Sequence, residues 1–324
     1  MAASGILVIG AGELGSAVLE ALVSHPQRRG AKISVMLRPE SIKNKPETAA
    51  AVRALGADIE PCDFQDQSVE ALAKVFARYH TVVVCVGFGM PDGTQLRLAR
   101  AALAAGVAKF VPWQFGCDYE AIGRGSVMKL FDEQLDVRDL LRQQDKTDWL
   151  IASTGLFTSF LFLPSFGVVD APAGVLRALG SWDNRITLTM PRDVGRMTAE
   201  ALFVPPAGNI VHIAGDTMSY KQIADMMEEL CPSRAWRREL WDLEALHKRL
   251  ESSPDDINLK YQIMFGAGKG VGWDKESTLN VQRGLEMTNV RQYIAEHPGV
   301  FQRSPTCTKT LLTPAYLPSL RSVR

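Results

Sequence analysis

An apolar run from Ile6 to Ile9 leads directly into Gly10-Ala11-Gly12-Glu13-Leu14-Gly15 and then Ser16-Ala17-Val18-Leu19-Glu20-Ala21-Leu22. The pattern reads as strand, tight turn and helix. In a dinucleotide-binding unit the first glycine permits the sharp turn, the second lets the backbone approach a pyrophosphate, and the third allows close helix–strand packing. Phosphates would sit on the helix N-terminus, where unpaired N–H groups and the macrodipole favour negative charge. A Gly-x-Gly-x-x-Gly by itself is weak evidence, but the strand before it and the helix after it are the context the motif requires. The turn nominates Gly10, Gly12, Glu13, Leu14 and Gly15 as cofactor contacts.

With 324 residues the chain can form one large or two modest domains, and 46% hydrophobic with 22% charged residues is ordinary for a globular protein. Lys+Arg and Asp+Glu both number 36, so the positive field typical of nucleic-acid binding is missing. The five cysteines are scattered without C-x-x-C or close Cys/His spacing, which points to neither a disulfide framework nor a metal site. No charged segment with an apolar core precedes the first strand, and no apolar run of ~18 residues occurs. The expectation is a cytoplasmic enzyme or binding protein, with no membrane and no nucleic-acid partner. Oligomeric state is not legible.

Ile33 to Leu37 reads as a second strand, followed by Arg38-Pro39-Glu40-Ser41. An acid at this strand's end would bind the ribose 2′-OH of NAD, whereas an Arg there pairs with the 2′-phosphate of NADP. Arg38, with Lys43 and Lys45 downstream, argues for NADP(H); the alternative is that these are solvated loop charges. Pro46 to Leu55 reads as a helix, Ala57 to Cys62 as a strand ending at Asp63-Phe64, and Ser68 to Tyr79 as a further helix. Thr81 to Val86 is a β-branched run closed by Gly87-Phe88-Gly89, as expected of a parallel strand buried on both faces. Strands alternating with helices predict a doubly wound α/β sheet. Gly10, Arg38, Asp63, Phe64, Gly87 and Phe88 should then converge on the rim at the strands' carboxyl ends, with Gly87 letting the backbone pass near the cofactor.

Gln95 to Ala105 is an Ala- and Leu-rich helix, and Gly106 to Gly116 a strand and loop. The order Gln95, Ala101-Ala102, Ala105-Gly106-Val107-Ala108-Lys109-Phe110-Val111-Pro112 and Phe115-Gly116 resembles the NmrA-like and isoflavone-reductase-like branch of the short-chain dehydrogenase/reductases. The resemblance covers at least residues 5 to 160. Met190-Pro191-Arg192-Asp193-Val194-Gly195-Arg196 and Gly270-Val271-Gly272-Trp273-Asp274-Lys275 are similar to fungal members. The resemblance implies an NADPH-dependent reductase with a Rossmann domain over residues 1–155, return elements near 186–213, and a smaller substrate domain over most of 156–324. It also places Trp113, Gln114, Gly155 and an aromatic at Phe157 near the cofactor.

Two departures stand out. The family's Pro-Ser-Glu-Phe-Gly is here Pro112-Trp113-Gln114-Phe115-Gly116, and where the family places a catalytic Lys three residues after a Phe, this chain has Gln134 after Phe131. On a helix from Ser126 to Gln144, Gln134 interrupts the stripe Leu130, Val137, Leu141. A polar group there needs a partner or costs about 1–3 kcal/mol. That partner is either a substrate or ribose group, or a neighbouring backbone group. An amide does not titrate usefully, so general-acid catalysis would fall to Lys129, Asp118 or Tyr119, each of which also reads as an ordinary surface residue. Proton transfer adds typically 10²–10⁴-fold, so a pre-activated acceptor such as an iminium ion can be reduced without it.

Asp148 to Phe157 reads as a sixth strand, followed by Phe160, Phe162 and Phe166, a segment that suits either a pocket wall for a flat substrate or plain core. Met90, Tyr119, Phe160 and Phe162 are the candidate substrate contacts. Trp182 to Met190 predicts a strand, Pro191 to Leu202 a returning helix, Ile210 to Ile213 a short strand, and Ser219 the N-cap of a helix to Leu230. Residues 237–251 read as an amphipathic helix, Gly266 to Gly270 as a flexible loop, and the proline-punctuated tail after Glu296 as a surface arm. The expectation is hydride transfer from NADP(H) to a C=N or conjugated C=C of a hydrophobic natural product in secondary-metabolite biosynthesis, with Gln134 orienting the substrate. A redox-neutral cyclase or isomerase and a non-catalytic NADP-sensing regulator are the alternatives.

Overall fold

The apolar runs at the start of the chain become the middle of a parallel sheet. The computed structural model describes residues 5–87 and 89–301. In chain order its first half is β1 (Ile6–Ile9), α1 (Glu13–Ser24), β2 (Ile33–Leu37), α2 (Pro39–Asn44), α3 (Pro46–Ala54), β3 (Asp58–Pro61), α4 (Val69–Phe76), β4 (Thr81–Val84), α5 (Thr94–Ala105), β5 (Lys109–Val111), α6 (Tyr119–Ile122), α7 (Lys129–Arg142) and β6 (Asp148–Trp149). Six strands pair in the order β3-β2-β1-β4-β5-β6, all parallel. Every residue of β1, β2 and β4 is buried, as strands covered by helices on both faces require. The order reverses between β1 and β4, and ligands of such sheets bind beyond the carboxyl ends at that reversal.

The second half comprises β7 (Ile151–Ser153), β8 (Leu156–Phe157), β9 (Val169–Asp170), β10 (Val175–Leu179), β11 (Arg185–Thr189), α8 (Pro191–Phe203), β12 (Ile210–His212), β13 (Asp216–Ser219), α9 (Tyr220–Leu230), β14 (Arg237–Trp241), α10 (Leu243–Ser252), α11 (Ile257–Gly266), α12 (Leu279–Gln282) and α13 (Val290–Glu296). These build small sheets β14-β10-β9 and β13-β11-β8, and β12 pairs parallel with β7. One core, around Leu7, Phe76, Leu98 and Phe110, covers one face of the large sheet; another, around Val8, Val18, Leu22 and Met197, covers the other. A further core gathers Phe131, Leu161, Phe166, Tyr220 and Phe265. α8 returns to pack on α1 backbone to backbone: a Cβ at Gly195 would lie 2.3 Å from the Ala17 carbonyl oxygen.

Several expectations change. The stretch Asp148 to Phe157 is three short strands, because β7 leaves β6 to pair with β12 and β8 pairs with β11. Residues 237–251 are not one helix: Arg237–Trp241 is a strand lying parallel to Val175–Leu179, a partner too distant in sequence for local periodicity to reveal. α7 begins at Lys129 rather than Ser126. The Gly266–Gly270 loop is pinned, not free. A Cβ at Gly180 would sit 1.9 Å from the Gly266 carbonyl oxygen, and the Gly270 carbonyl accepts the Asp118 N–H at 2.8 Å. Ser219 does cap α9, in a reciprocal capping box with Gln222. The tail beyond 301 lies outside the described residues. Among those described, no helix is long and apolar enough to cross a membrane.

Candidate functional site

The three glycines of the first turn perform three different jobs. Gly10 has φ +95°, and a Cβ there would lie 2.3 Å from Cγ1 of Val86. A Cβ at Gly15 would lie 2.2 Å from the Gly10 carbonyl oxygen, so helix and strand touch there. A Cβ at Gly12 would meet nothing within 4 Å among the described residues. Gly12 is the N-cap of α1 and supplies no side-chain cap, so the N–H groups of the first helical turn are left for an external acceptor. Glu13 is exposed beside it, while Leu14 is buried beneath. This cradle fits a pyrophosphate.

At the next strand end, Nη1 of Arg38 donates to Oε1 of Gln65 at 2.6 Å. The Gln65 Nε2 in turn reaches Sδ of Met90 at 3.3 Å, and its backbone N–H donates to Oδ1 of Asp63 at 3.2 Å. Gln65 thus ties together the ends of β2, β3 and β4. Sequence reasoning missed it; its place two residues after Asp63 was the available signal.

Several nominated contacts prove to be structural. Phe64 is buried in the core under α5, with its carbonyl accepting from Nη2 of Arg97 at 3.3 Å. At Gly87 a Cβ would lie 2.0 Å from the Trp113 ring, so this glycine makes room for an indole rather than a cofactor. The half-buried Trp113 touches the cores on both faces of the sheet. Gly155, at φ +71°, is needed because a Cβ would lie 2.2 Å from the Thr187 carbonyl oxygen. Phe88 lies outside the described residues.

Inside this rim sits a buried polar cluster that sequence reasoning saw only in part. Gln114, fully buried, donates from Nε2 to the Gln134 carbonyl at 2.8 Å and accepts from Nε of Arg138 at Oε1, also at 2.8 Å. Both ends of its amide are therefore used internally, which corrects its nomination as a cofactor contact. Arg138, 0% exposed, faces Asp118 at 3.6 Å and Glu120 at 3.5 Å and lies over the Tyr119 ring at 5.5 Å. Its helical position i+4 from Gln134 was the missed signal. The Gln134 amide is equally buried, and neither its Oε1 nor its Nε2 has a partner among the described residues.

The suggested proton donors fare poorly. Asp118 is ionised: the hydrogen bond with His212, those from backbone groups including Ala121 N–H, and nearby Arg138 hold its carboxyl below the usual range despite partial burial. It caps α6 instead. Tyr119 is buried against Phe131, and burial pushes its phenol well above 10. It is a core residue, not a substrate contact. Lys129 is exposed at the start of α7. Phe162 is also core, stacked on Tyr293 at 5.6 Å, whereas the half-buried Phe157 and Phe160 meet edge to face at 6.3 Å. His212, edge-on to Trp273 at 4.8 Å, completes the cluster's open side.

A parallel sheet in this order, with a glycine turn at its first strand–helix junction, defines a Rossmann-like α/β protein. Within that class the chain belongs to the NmrA-like family, whose model matches residues 2–289. It is 50% identical over 298 residues to an NmrA-like family domain-containing oxidoreductase of Gibberella moniliformis (strain M3125 / FGSC 7600), covering 90% of this chain and 97% of the relative. Among solved structures it is similar to one from the pinoresinol-lariciresinol and phenylcoumaran benzylic ether reductases (TM-score 0.75, 18% identity, 90% of this chain and 98% of the other). It is also similar to the binary complex of leucoanthocyanidin reductase with NADPH from Vitis vinifera (TM-score 0.73, 18% identity, 92% and 99%).

Proposed function

We propose that this chain is an NADPH-dependent reductase, with residues 1–155 holding the nucleotide and 156–324 forming most of the substrate domain. It acts on a C=N or conjugated C=C of a flat, hydrophobic secondary metabolite, an alkaloid or aromatic compound. The observation that carries the reading is Gly12, whose open Cβ direction at an uncapped helix start leaves room for a pyrophosphate. Arg38 at the end of β2 supports NADPH over NADH, since its guanidinium can pair with a 2′-phosphate while Gln65 steadies it. Bound NADPH supplies the hydride, and the protein contributes placement. Phe157 and Phe160 offer an aromatic corner for a flat substrate. The oxidoreductase name of the Gibberella relative and the NADPH bound by the Vitis structure agree with this assignment.

A titration of the purified protein with NADPH and NADH, followed by absorbance at the reduced-nicotinamide band on adding candidate substrates, tests the reading. Preferential NADPH binding with stoichiometric loss of the band is expected. Product formation without net loss would favour the redox-neutral cyclase instead, a reading motivated by the untitratable Gln134. Binding of neither nucleotide would refute both.

A further inference from the structure

The two departures from the family pattern, at 114 and 134, are neighbours in space: the Gln114 side chain bonds both the Gln134 main-chain carbonyl and, one helical turn on, Arg138. A guanidinium only donates, so Oε1 of Gln114 must face Nε of Arg138 and Nε2 must face the Gln134 carbonyl, at 2.8 Å each. The orientation of this amide has one solution, and in it position 114 presents no negative charge. Arg138 is buried, and its terminal nitrogens form no hydrogen bond among the described residues, Nη1 having only ion-pair contacts at 3.5 and 3.6 Å. The carboxylates facing it, Asp118 and Glu120, stand at 3.6 and 3.5 Å and are themselves engaged by His212 and Arg142. One helical turn away, the Gln134 amide finds no acceptor among the described residues. An ammonium at that position would be a second buried cation on the same helix, four residues from the first.

We propose that Gln114 and Gln134 are one coupled feature: the uncharged amide at 114, fixed by Arg138, is the specificity-determining residue that keeps position 134 uncharged. Resting on the reductase reading, this restricts the site to acceptors reduced without a proton from α7. An iminium ion is such an acceptor. Hydride from NADPH bonds to its carbon, the π pair returns to nitrogen, and the cation becomes a neutral amine with no proton taken up. A ketone, whose oxygen would be left as an alkoxide, is disfavoured.

The test is a double-mutant cycle on the full chain, read by urea midpoint. Gln134→Lys alone is expected to lower the midpoint or abolish folding, while Gln134→Met, equally long and uncharged, folds. Gln114→Glu alone is also destabilised, because it loses the donor to the Gln134 carbonyl. Combining Gln114→Glu with Gln134→Lys, or Arg138→Met with Gln134→Lys, is expected to recover part of the midpoint lost by Gln134→Lys. Additive losses in both pairs, or failure of Gln134→Met to fold, would overturn the proposal. The midpoints do not depend on catalysis, so coupling observed with no nucleotide binding in any variant would sink the reductase reading alone. With both readings correct, the refolded Gln114→Glu/Gln134→Lys protein gains NADPH-dependent ketone reduction absent from the parent.

Discussion

Oε1 of Glu133, on α7, accepts the backbone N–H groups of Gln95 and Leu96 at 2.7 and 3.1 Å, capping α5 from a different helix. The N-cap of α5 is Gly93, which has no side chain to do this. Gln95 completes the junction by donating from Nε2 to the Val86 carbonyl at 2.9 Å. Glu133 therefore locks α7, which carries Gln134, to the end of β4. Removing the carboxylate strands buried N–H groups, so Glu133→Ala is expected to cost roughly 2–3 kcal/mol in urea unfolding. Glu133→Gln, which keeps an acceptor, should cost about half that.

The glycine turn offers a contrast within three residues. In Gly15→Ala the new Cβ meets immovable backbone, the Gly10 carbonyl oxygen at 2.2 Å. A loss of roughly 2–3 kcal/mol in stability, or failure to fold, is expected. Gly12→Ala meets nothing within 4 Å among the described residues, so its thermal midpoint should stay within about a degree or two while the Kd for NADPH rises about tenfold, ~1.4 kcal/mol. Equal damage to stability by both would contradict the separate roles assigned to them.

What was legible follows from how local the cause is. The β1 turn, the strands out to Val84 and the Ser219 cap are each set by residues within a few positions, and the sequence reading placed them. The strand at Arg237–Trp241 exists because it pairs with Val175–Leu179, and nothing local announces that. Among the nominated site residues the failures share one origin. Gly87 read as an opening toward a cofactor and Gly155 as a cofactor contact, yet the space at each is filled by a residue from elsewhere in the chain, Trp113 and Thr187. Tyr119 and Phe162 looked like a pocket lining and lie in the core that the second half of the chain builds over them. Gln114 turns inward because of Arg138, 24 positions away.

Arg38 gives a sharp cofactor prediction. Arg38→Glu replaces a donor fork with a carboxylate where a 2′-phosphate would lie, so NADPH binding should weaken by about 100-fold, ~3 kcal/mol. NADH carries no phosphate there and should bind the variant at least as well as the parent. A fluorescence titration with both nucleotides checks this, and an unchanged NADPH/NADH ratio would leave Arg38 as a plain partner of Gln65.

The Gln134 amide, without a partner among the described residues, bears on stability. Removing both polar atoms while keeping the length, as in Gln134→Met, relieves an unpaired buried group and should raise stability by about 1 kcal/mol in the free protein. Substrate turnover should fall at the same time if the amide orients the substrate. A variant less stable than the parent would mean that the amide is satisfied after all.

Acid sensitivity should centre on Asp118. Its carboxyl is held low chiefly by His212, then by backbone N–H groups such as that of Ala121 and by Arg138, with burial opposing them. A carboxylate whose folded pKa lies below its unfolded value of about 3.9 stabilises the protein above that value, and the contribution is lost as pH falls through the folded pKa. The parent should therefore lose stability more steeply than Asp118→Asn below about pH 4, while above pH 5 the variant is the weaker of the two, having given up the carboxylate that faces His212 and Arg138. Urea midpoints of both proteins from pH 3 to 7 should converge toward the acid end. Parallel curves across that range would show that Asp118 is not the group whose protonation matters.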